Sequence, residues 1–205
     1  MGTTSLDLYW LPLGAGGQSV RFNGRVFEAV VARWQHRPVR DLYHSALELR
    51  LPEGRFVVEM GPVPAHAARC GVVVEGPVGA RWARRLRIFR YGVRRWRDGV
   101  IPDAAEAIES PRRLTGDPWI VRRVRDLVPS VPTPVWGRDE LATGEMWNSN
   151  SVTSWLITRA GLPVDSIDLP AGGRAPGWNA GIVVARRPST EPGQGGGRGT
   201  PKSVL

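Results

Sequence analysis

Residues 41–60 read DLYHSALELRLPEGRFVVEM, and this stretch contains the clearest structural pattern in the chain. Two runs with strand character, residues 41–50 and 55–60, lie on either side of a turn signal at residues 51–54. The pattern predicts a β-hairpin. Because the two strands of a hairpin pair directly, side chains on the same face come within contact distance of one another.

Further strands and helices are predicted on both sides of this hairpin. Alternating or short apolar runs predict strands at residues 5–13, 72–75, 86–93 and 181–187. Apolar residues at helical spacing predict helices around residues 26–34, after Asp117-Pro118, and at residues 149–160. This order predicts an α+β fold in which an antiparallel sheet packs against helices.

The length and composition are typical of one globular domain. The chain has 205 residues, of which 41% are hydrophobic and 23% are charged. Residues 188–205 are rich in glycine and proline and have almost no large apolar side chain, so their contacts cannot offset the entropy lost on ordering. We therefore expect a single folded domain at residues 4–187 and a disordered tail at residues 188–205.

Cysteine and histidine are too sparse for most metal and disulfide chemistry. The single cysteine, Cys70, excludes an internal disulfide and a zinc site built from cysteines. His36 has no second histidine three or four residues away, so we expect no metal site and no cofactor. No apolar run is long enough to cross a bilayer and no secretory signal is recognised, so a cytoplasmic location is expected.

The net charge of +9 favours anionic partners. Eight arginines and no acidic residue lie within residues 81–97, interleaved with Trp82, Phe89, Tyr91 and Trp96. Such a segment can bind phosphates and stack on bases, or it can be a strand whose arginines extend into solvent. No recognised nucleic-acid motif accompanies it. If the segment binds a partner, we expect an anionic ligand or a lipid headgroup rather than nucleic acid.

Three polar segments have the composition of a catalytic site. His44 stands near the start of a strand, Glu59 at the end of the next strand, and Ser149 at the start of a helix. A hydroxyl at a helix N-terminus has free backbone N–H groups beside it that can hold an oxyanion. A histidine can take the hydroxyl proton, and a carboxylate can orient that histidine. The pattern predicts Ser149 as nucleophile, His44 as general base and Glu59 as the orienting residue.

Other residues near the helix start have predicted roles in the same site. Ser151 is the alternative nucleophile if the helix begins later than expected. Trp147 and Asn148, which precede the helix, are expected to contact the substrate.

A purely structural interpretation competes with the catalytic one. Asn148, Ser149 and Asn150 are typical of an ordinary helix N-cap, which needs no function. A strand histidine such as His44 is often buried with one hydrogen-bond partner, and Glu59 has many arginines with which to pair. The sequence leaves the two interpretations open.

The order of these segments resembles the circularly permuted papain-like superfamily, the NlpC/P60-related group that includes lecithin retinol acyltransferase-like enzymes. His44 resembles the histidine of an early strand in that family. Residues 58–62, Val-Glu-Met-Gly-Pro, are similar to its strand end His-Leu-x-Pro, with Glu59 at the histidine position. Residues 148–152, Asn-Ser-Asn-Ser-Val, are similar to its Asn-Cys-x-x-Phe segment, with Ser149 in place of the nucleophilic cysteine. A hydroxyl at that position needs a well-placed base, whereas a thiolate forms readily at neutral pH.

The resemblance implies a permuted papain-like fold and a hydrolase or acyltransferase acting on an amide, a peptide or an acyl ester. Two alternatives stay open. In one, the same cleft binds a small molecule, a peptide or an acyl group without catalysis. In the other, the protein binds an anion or nucleic acid through residues 81–97. The sequence does not decide whether the chain is an enzyme.

Overall fold

The computed structural model describes residues 3–13, 41–63 and 71–188 of the 205-residue chain. The predicted helix around residues 26–34, His36, Cys70 and the predicted tail beyond residue 188 lie outside these ranges. The described part is α+β, as predicted, with six antiparallel strands in one sheet and three α-helices.

The six strands of the sheet are all paired in antiparallel fashion. They are β1 (Ser5–Pro12), β2 (Tyr43–Leu51), β3 (Gly54–Pro62), β4 (Val72–Pro77), β5 (Arg90–Arg97) and β6 (Ile108–Thr115). Their order across the sheet is β4-β5-β3-β2-β1-β6. Strands β2 and β3 form the predicted hairpin, with Leu51 opposite Gly54 at the turn.

Alternation along the strands gives the sheet two different faces. One face, called here the helical face, carries the main core, and its fully buried side chains include Leu6, Leu8, Trp10, Leu47 and Leu49. The opposite face carries a smaller apolar cluster formed by Leu11, Ala46, Val57 and Ile101. Because directly paired residues of antiparallel strands point to the same side, the pairing shows which face each side chain occupies.

Three helices pack on the helical face: α1 (Pro118–Leu127), α2 (Ser149–Arg159) and α3 (Trp178–Arg186). Helix α1 begins where the sequence predicts. The side chain of Asp117 accepts a hydrogen bond of 2.8 Å from the N–H of Trp119, and Pro118 occupies the first helical position. None of the helices in the described ranges is long and apolar enough to cross a membrane.

Two of the predicted strands differ from the structure. Residues 181–187, predicted as a strand, are almost all part of helix α3, which follows Gly177 with its φ of +84°. A short apolar run does not by itself distinguish a strand from a buried helix, and here close packing against α2 favours the helix. The strand predicted at residues 86–93 begins only at Arg90, because residues 81–89 form two short 3₁₀ helices.

Gly181 allows α3 to pack directly against α2. A Cβ atom at this position would overlap the backbone oxygen of Ser151 and the hydroxyl oxygen of Ser154. We expect Gly181→Ala to lower the free energy of unfolding by about 1–3 kcal/mol, because the backbone must shift to admit the methyl group. Chemical denaturation measures this loss. Gly116→Ala is the matched control, since its Cβ would lie 3.6 Å from the nearest atom, and equal losses in both variants would contradict the close contact.

Candidate functional site

The start of helix α2 is held by a reciprocal capping box. The side-chain oxygen of Asn148 accepts hydrogen bonds from the N–H groups of Asn150 (2.9 Å) and Ser151 (3.4 Å). In return, the hydroxyl of Ser151 accepts a hydrogen bond of 3.1 Å from the N–H of Asn148. The backbone N–H groups of Asn148, Asn150 and Ser151 are therefore already paired with side chains.

Asn150, which the sequence marks only as a residue of an ordinary N-cap, is the centre of a buried polar network at this helix start. Its side-chain nitrogen donates to the backbone oxygens of Tyr43 and Pro176, both at 2.9 Å. Its side-chain oxygen accepts a hydrogen bond of 2.9 Å from the Ser45 hydroxyl. One side chain therefore connects strand β2, helix α2 and the segment that leads into α3.

The hydroxyls of α2 that lie beside α3 donate to backbone oxygens. Ser151 Oγ donates to the Gly177 oxygen at 2.7 Å, and Ser154 Oγ donates to the Trp178 oxygen at 2.6 Å. Ser151, the alternative nucleophile, would have to give up this contact before its proton could move to a base. Ser149 is buried, and its hydroxyl has no hydrogen-bond partner among the described residues.

His44 lies on the face of the sheet opposite to α2. It pairs across the β1–β2 ladder with Leu11, whereas its neighbour Ser45 pairs with Trp10. Leu11 belongs to the cluster on the opposite face, and Trp10 belongs to the main core. The residue of β2 that reaches the start of α2 is therefore Ser45, through its hydrogen bond to Asn150.

Glu59 shares the opposite face with His44 but has another partner. Its cross-strand neighbour is Arg94, whose Nη1 lies 3.4 Å from Glu59 Oε1. Burial raises the pKa of the Glu59 carboxyl, and the charge of Arg94 acts against this rise. Burial also lowers the pKa of the His44 imidazole, while the carboxylate of Asp103 acts in the other direction. No hydrogen bond joins His44 to Glu59 within the described ranges.

The structure therefore does not bring the three predicted catalytic residues together. His44 and Glu59 occupy one face of the sheet, and Ser149 begins a helix on the other. A general base acts at hydrogen-bond distance, so the predicted proton transfer from Ser149 to His44 has no geometric basis here.

The alternation of side chains along β2 already indicates in the sequence that His44 does not face the start of α2. With a period of two residues, Ser45 shares a face with Leu47 and Leu49, the most apolar positions of the strand. His44 then shares the other face with Glu48. Applying the alternation to β2 before pairing it with α2 would have selected Ser45 as the neighbour of the helix.

Trp147, predicted to contact substrate, is a packing residue of the main core. It is almost fully buried, and its indole nitrogen has no hydrogen-bond partner within the described part of the chain. Asn148 is occupied as the cap of α2. Two clefts lined by described residues lie elsewhere, one of about 160 Å³ between Arg112 of β6 and Ile167 and one along α1. Neither cleft is lined by His44, Glu59 or Ser149.

The segment between β4 and β5, residues 81–90, is a surface with a different character. We call it the basic turn. It contains five arginines and no acidic residue. Its large apolar side chains point into solvent, with Trp82 74% exposed and Ile88 82% exposed, and Leu86 and Phe89 are exposed as well. Several exposed large apolar side chains on one short segment are typical of an interaction site, because contact with water is unfavourable for each of these side chains.

The basic turn is held in shape by its own contacts. The guanidinium of Arg90 donates to the backbone oxygen of Arg84 at 2.6 Å and to that of Arg85 at 3.5 Å. Arg81 forms an ion pair of 2.6 Å with Glu140, and Ala83 is buried beneath the turn. Arg84 and Arg85 themselves are exposed, and their side chains have no partner among the described residues.

Comparisons with known proteins do not assign this chain to a family. No family model, no curated protein and no solved structure matches the chain. Within the described ranges, no group of three or more histidine, cysteine, aspartate and glutamate side chains is placed to hold a metal ion.

Asn150→Ala tests the buried network at the start of α2. The change removes the acceptor of the Ser45 hydroxyl and a donor to the Tyr43 oxygen, both inside the protein. We expect the free energy of unfolding to fall by about 2–4 kcal/mol, because buried polar groups without partners are costly. Ser149→Ala is the control and should cost less than about 1 kcal/mol, because its hydroxyl has no hydrogen-bond partner among the described residues. A larger loss for Ser149→Ala than for Asn150→Ala would refute this account.

The half-buried His44 makes stability depend on pH in a defined direction. Its folded-state pKa lies below the ordinary value of 6.5, so the unfolded chain takes up a proton first as the pH falls. The free energy of unfolding should therefore fall on acidification through about pH 6.5, by up to about 1.4 kcal/mol per pH unit, and this term should level off below the folded-state pKa.

Urea denaturation of the natural protein and of His44→Gln across this pH range isolates the contribution of the imidazole. Glu59 titrates in both proteins, so its contribution largely cancels in the comparison. Parallel pH profiles for the two proteins would mean that His44 does not have a lowered pKa.

Proposed function

We propose that this protein binds a polyanionic partner through the basic turn. The observation that carries the proposal is the joint exposure of arginine and large apolar side chains on one short, anchored segment. Trp82 and Ile88 are more than 70% exposed, beside two arginines whose side chains have no partner among the described residues. Exposure of this kind is unfavourable in water unless a partner covers it.

The described residues neutralise the charge of the basic turn only in part. Arg81 pairs with Glu140 and Arg90 lies 3.4 Å from Glu75, whereas Arg84 and Arg85 have no such carboxylate among the described residues. A guanidinium offers a planar set of donors that matches phosphate, sulfate and carboxylate oxygens. An anionic partner would supply the acceptors that the described residues do not provide.

The shape of the turn also favours binding. Arg90 ties the backbone at Arg84 and Arg85 to the start of β5, so these two residues are held in place before any partner arrives. Binding then costs less ordering entropy than it would for a free loop.

The other two functions predicted from the sequence have less support. A serine hydrolase or acyltransferase needs His44 beside Ser149, and the two residues belong to opposite faces of the sheet. A binding module that uses the same cleft needs an opening there, but the start of α2 is filled by Asn150 and its partners. The resemblance to permuted papain-like proteins stays a prediction.

Retention on immobilised heparin tests the proposal. We expect the natural protein to be retained and to elute with increasing salt, because salt screens the contacts. The double variant Arg84→Gln/Arg85→Gln should bind more weakly by about 1 kcal/mol for each arginine removed, judged from basic residues at other anionic surfaces.

The matched control is Arg97→Gln/Arg122→Gln, which removes the same charge at the other end of the sheet, near Gly54 and Glu53. The proposal predicts a much smaller shift for this pair. Equal shifts for the two double variants would show that net charge, and not the basic turn, determines binding.

A further inference from the structure

We infer that the polyanionic partner of the basic turn is the surface of a lipid bilayer, on which the protein docks peripherally with the turn at the interface. This inference rests on the anion binding proposed above and names the partner more closely. Three properties of the turn favour a bilayer: the kind of apolar side chain that it exposes, the position of its charges and its place in the fold.

The exposed apolar side chains are of the kind that gains from hydrocarbon. Leu86 and Ile88 are aliphatic, and Ile88 is the most exposed large apolar residue in the described part of the chain. Nucleic-acid bases stack on aromatic rings, so a nucleic-acid site would make use of Trp82 and Phe89 but would leave the two aliphatic chains in water. The acyl region of a bilayer removes all four from water at once.

The arginines and the tryptophan suit the headgroup layer. Guanidinium groups bind lipid phosphates in bidentate fashion, and the alkyl part of an arginine can lie along apolar surface while its charged end stays at the phosphates. Tryptophan is enriched at membrane interfaces because its indole is apolar with one polar end. Trp82, Arg84 and Arg85 therefore present the combination that an anionic lipid surface attracts.

The carboxylates nearest to the turn do not oppose this contact. Glu140 is paired with Arg81, and Glu75 lies 3.4 Å from Arg90, so each negative charge is already offset by an arginine. The turn also connects the ends of β4 and β5 at one end of the sheet. Contact between the basic turn and a bilayer therefore does not disturb the packing of the helices on the helical face.

Sedimentation of the full chain with lipid vesicles tests the inference. We expect binding to phosphatidylcholine vesicles that contain phosphatidylserine and much weaker binding to vesicles of phosphatidylcholine alone. The double variant Trp82→Ser/Ile88→Ser should lose at least about tenfold in vesicle affinity, because it removes two side chains that the bilayer would cover. The same variant should still be retained on heparin, because all five arginines of the turn remain.

The control variant Val100→Ser/Trp119→Ser removes two apolar side chains of similar exposure, 65% and 62%, outside the turn. It should bind vesicles like the natural protein. All four changes are at exposed positions, so thermal unfolding is expected to stay close to that of the natural chain.

Three results would overturn the lipid inference. Retention on heparin without vesicle binding would leave the anion-binding function standing and remove the bilayer as partner. Vesicle binding that is unchanged by Trp82→Ser/Ile88→Ser would show that the turn is not inserted. Tighter binding to a single-stranded oligonucleotide than to vesicles, insensitive to Ile88→Ser, would identify nucleic acid instead. Failure of both heparin and vesicle binding would refute the proposed function itself.

Discussion

The side chain of Asn150 is the constraint on which the arrangement of the helical face depends. Both donors of its amide and its oxygen are used, and they connect helix α2 to Tyr43 and Ser45 of strand β2 and to Pro176 before α3. An amide buried in a low-dielectric interior is costly without partners, so the three segments are stable only in positions where all of these bonds form. The direction in which α2 meets the sheet, and the residue of β2 that it meets, follow from this network.

The polar residues at the start of α2 are explained by the same network. Serine and asparagine there cap the helix and hold the segment before α3, through Asn148, Ser151 and Ser154. A nucleophile site and a buried cap use the same residue types, because both need hydroxyl and amide groups at a helix N-terminus. The difference lies in what faces the helix, and here the facing residue is Ser45 rather than a histidine.

The arginines of the chain have two different environments. On the opposite face and around the β2–β3 turn, several pair with acidic residues, as in Arg113 with Asp7 (2.6 Å) and Arg55 with Glu48 (3.0 Å). In the basic turn, Arg84 and Arg85 have no such pair among the described residues and stand beside Trp82 and other exposed apolar groups. The amino-acid composition counts the arginines of both environments together and does not distinguish them. The proposed function concerns only the second, because an unpaired guanidinium beside an exposed apolar group is the one that gains from a partner.

Local patterns predict the α+β class, the β2–β3 hairpin and the start of α1, because alternation, a Pro-Glu-Gly turn and an Asp-Pro cap act within a few residues. The sequence also marked residues 81–97 as basic and aromatic, although it could not tell which arginines are paired. Only contacts between distant parts of the chain show that residues 181–186 form a helix. A short apolar run is compatible with a strand or with a buried helix, and close packing against α2 favours the helix. The tertiary structure also places His44 on the face of the sheet opposite to α2. The face that a strand residue occupies depends on the neighbouring strand and on the helix packed against it, and both are far away in sequence.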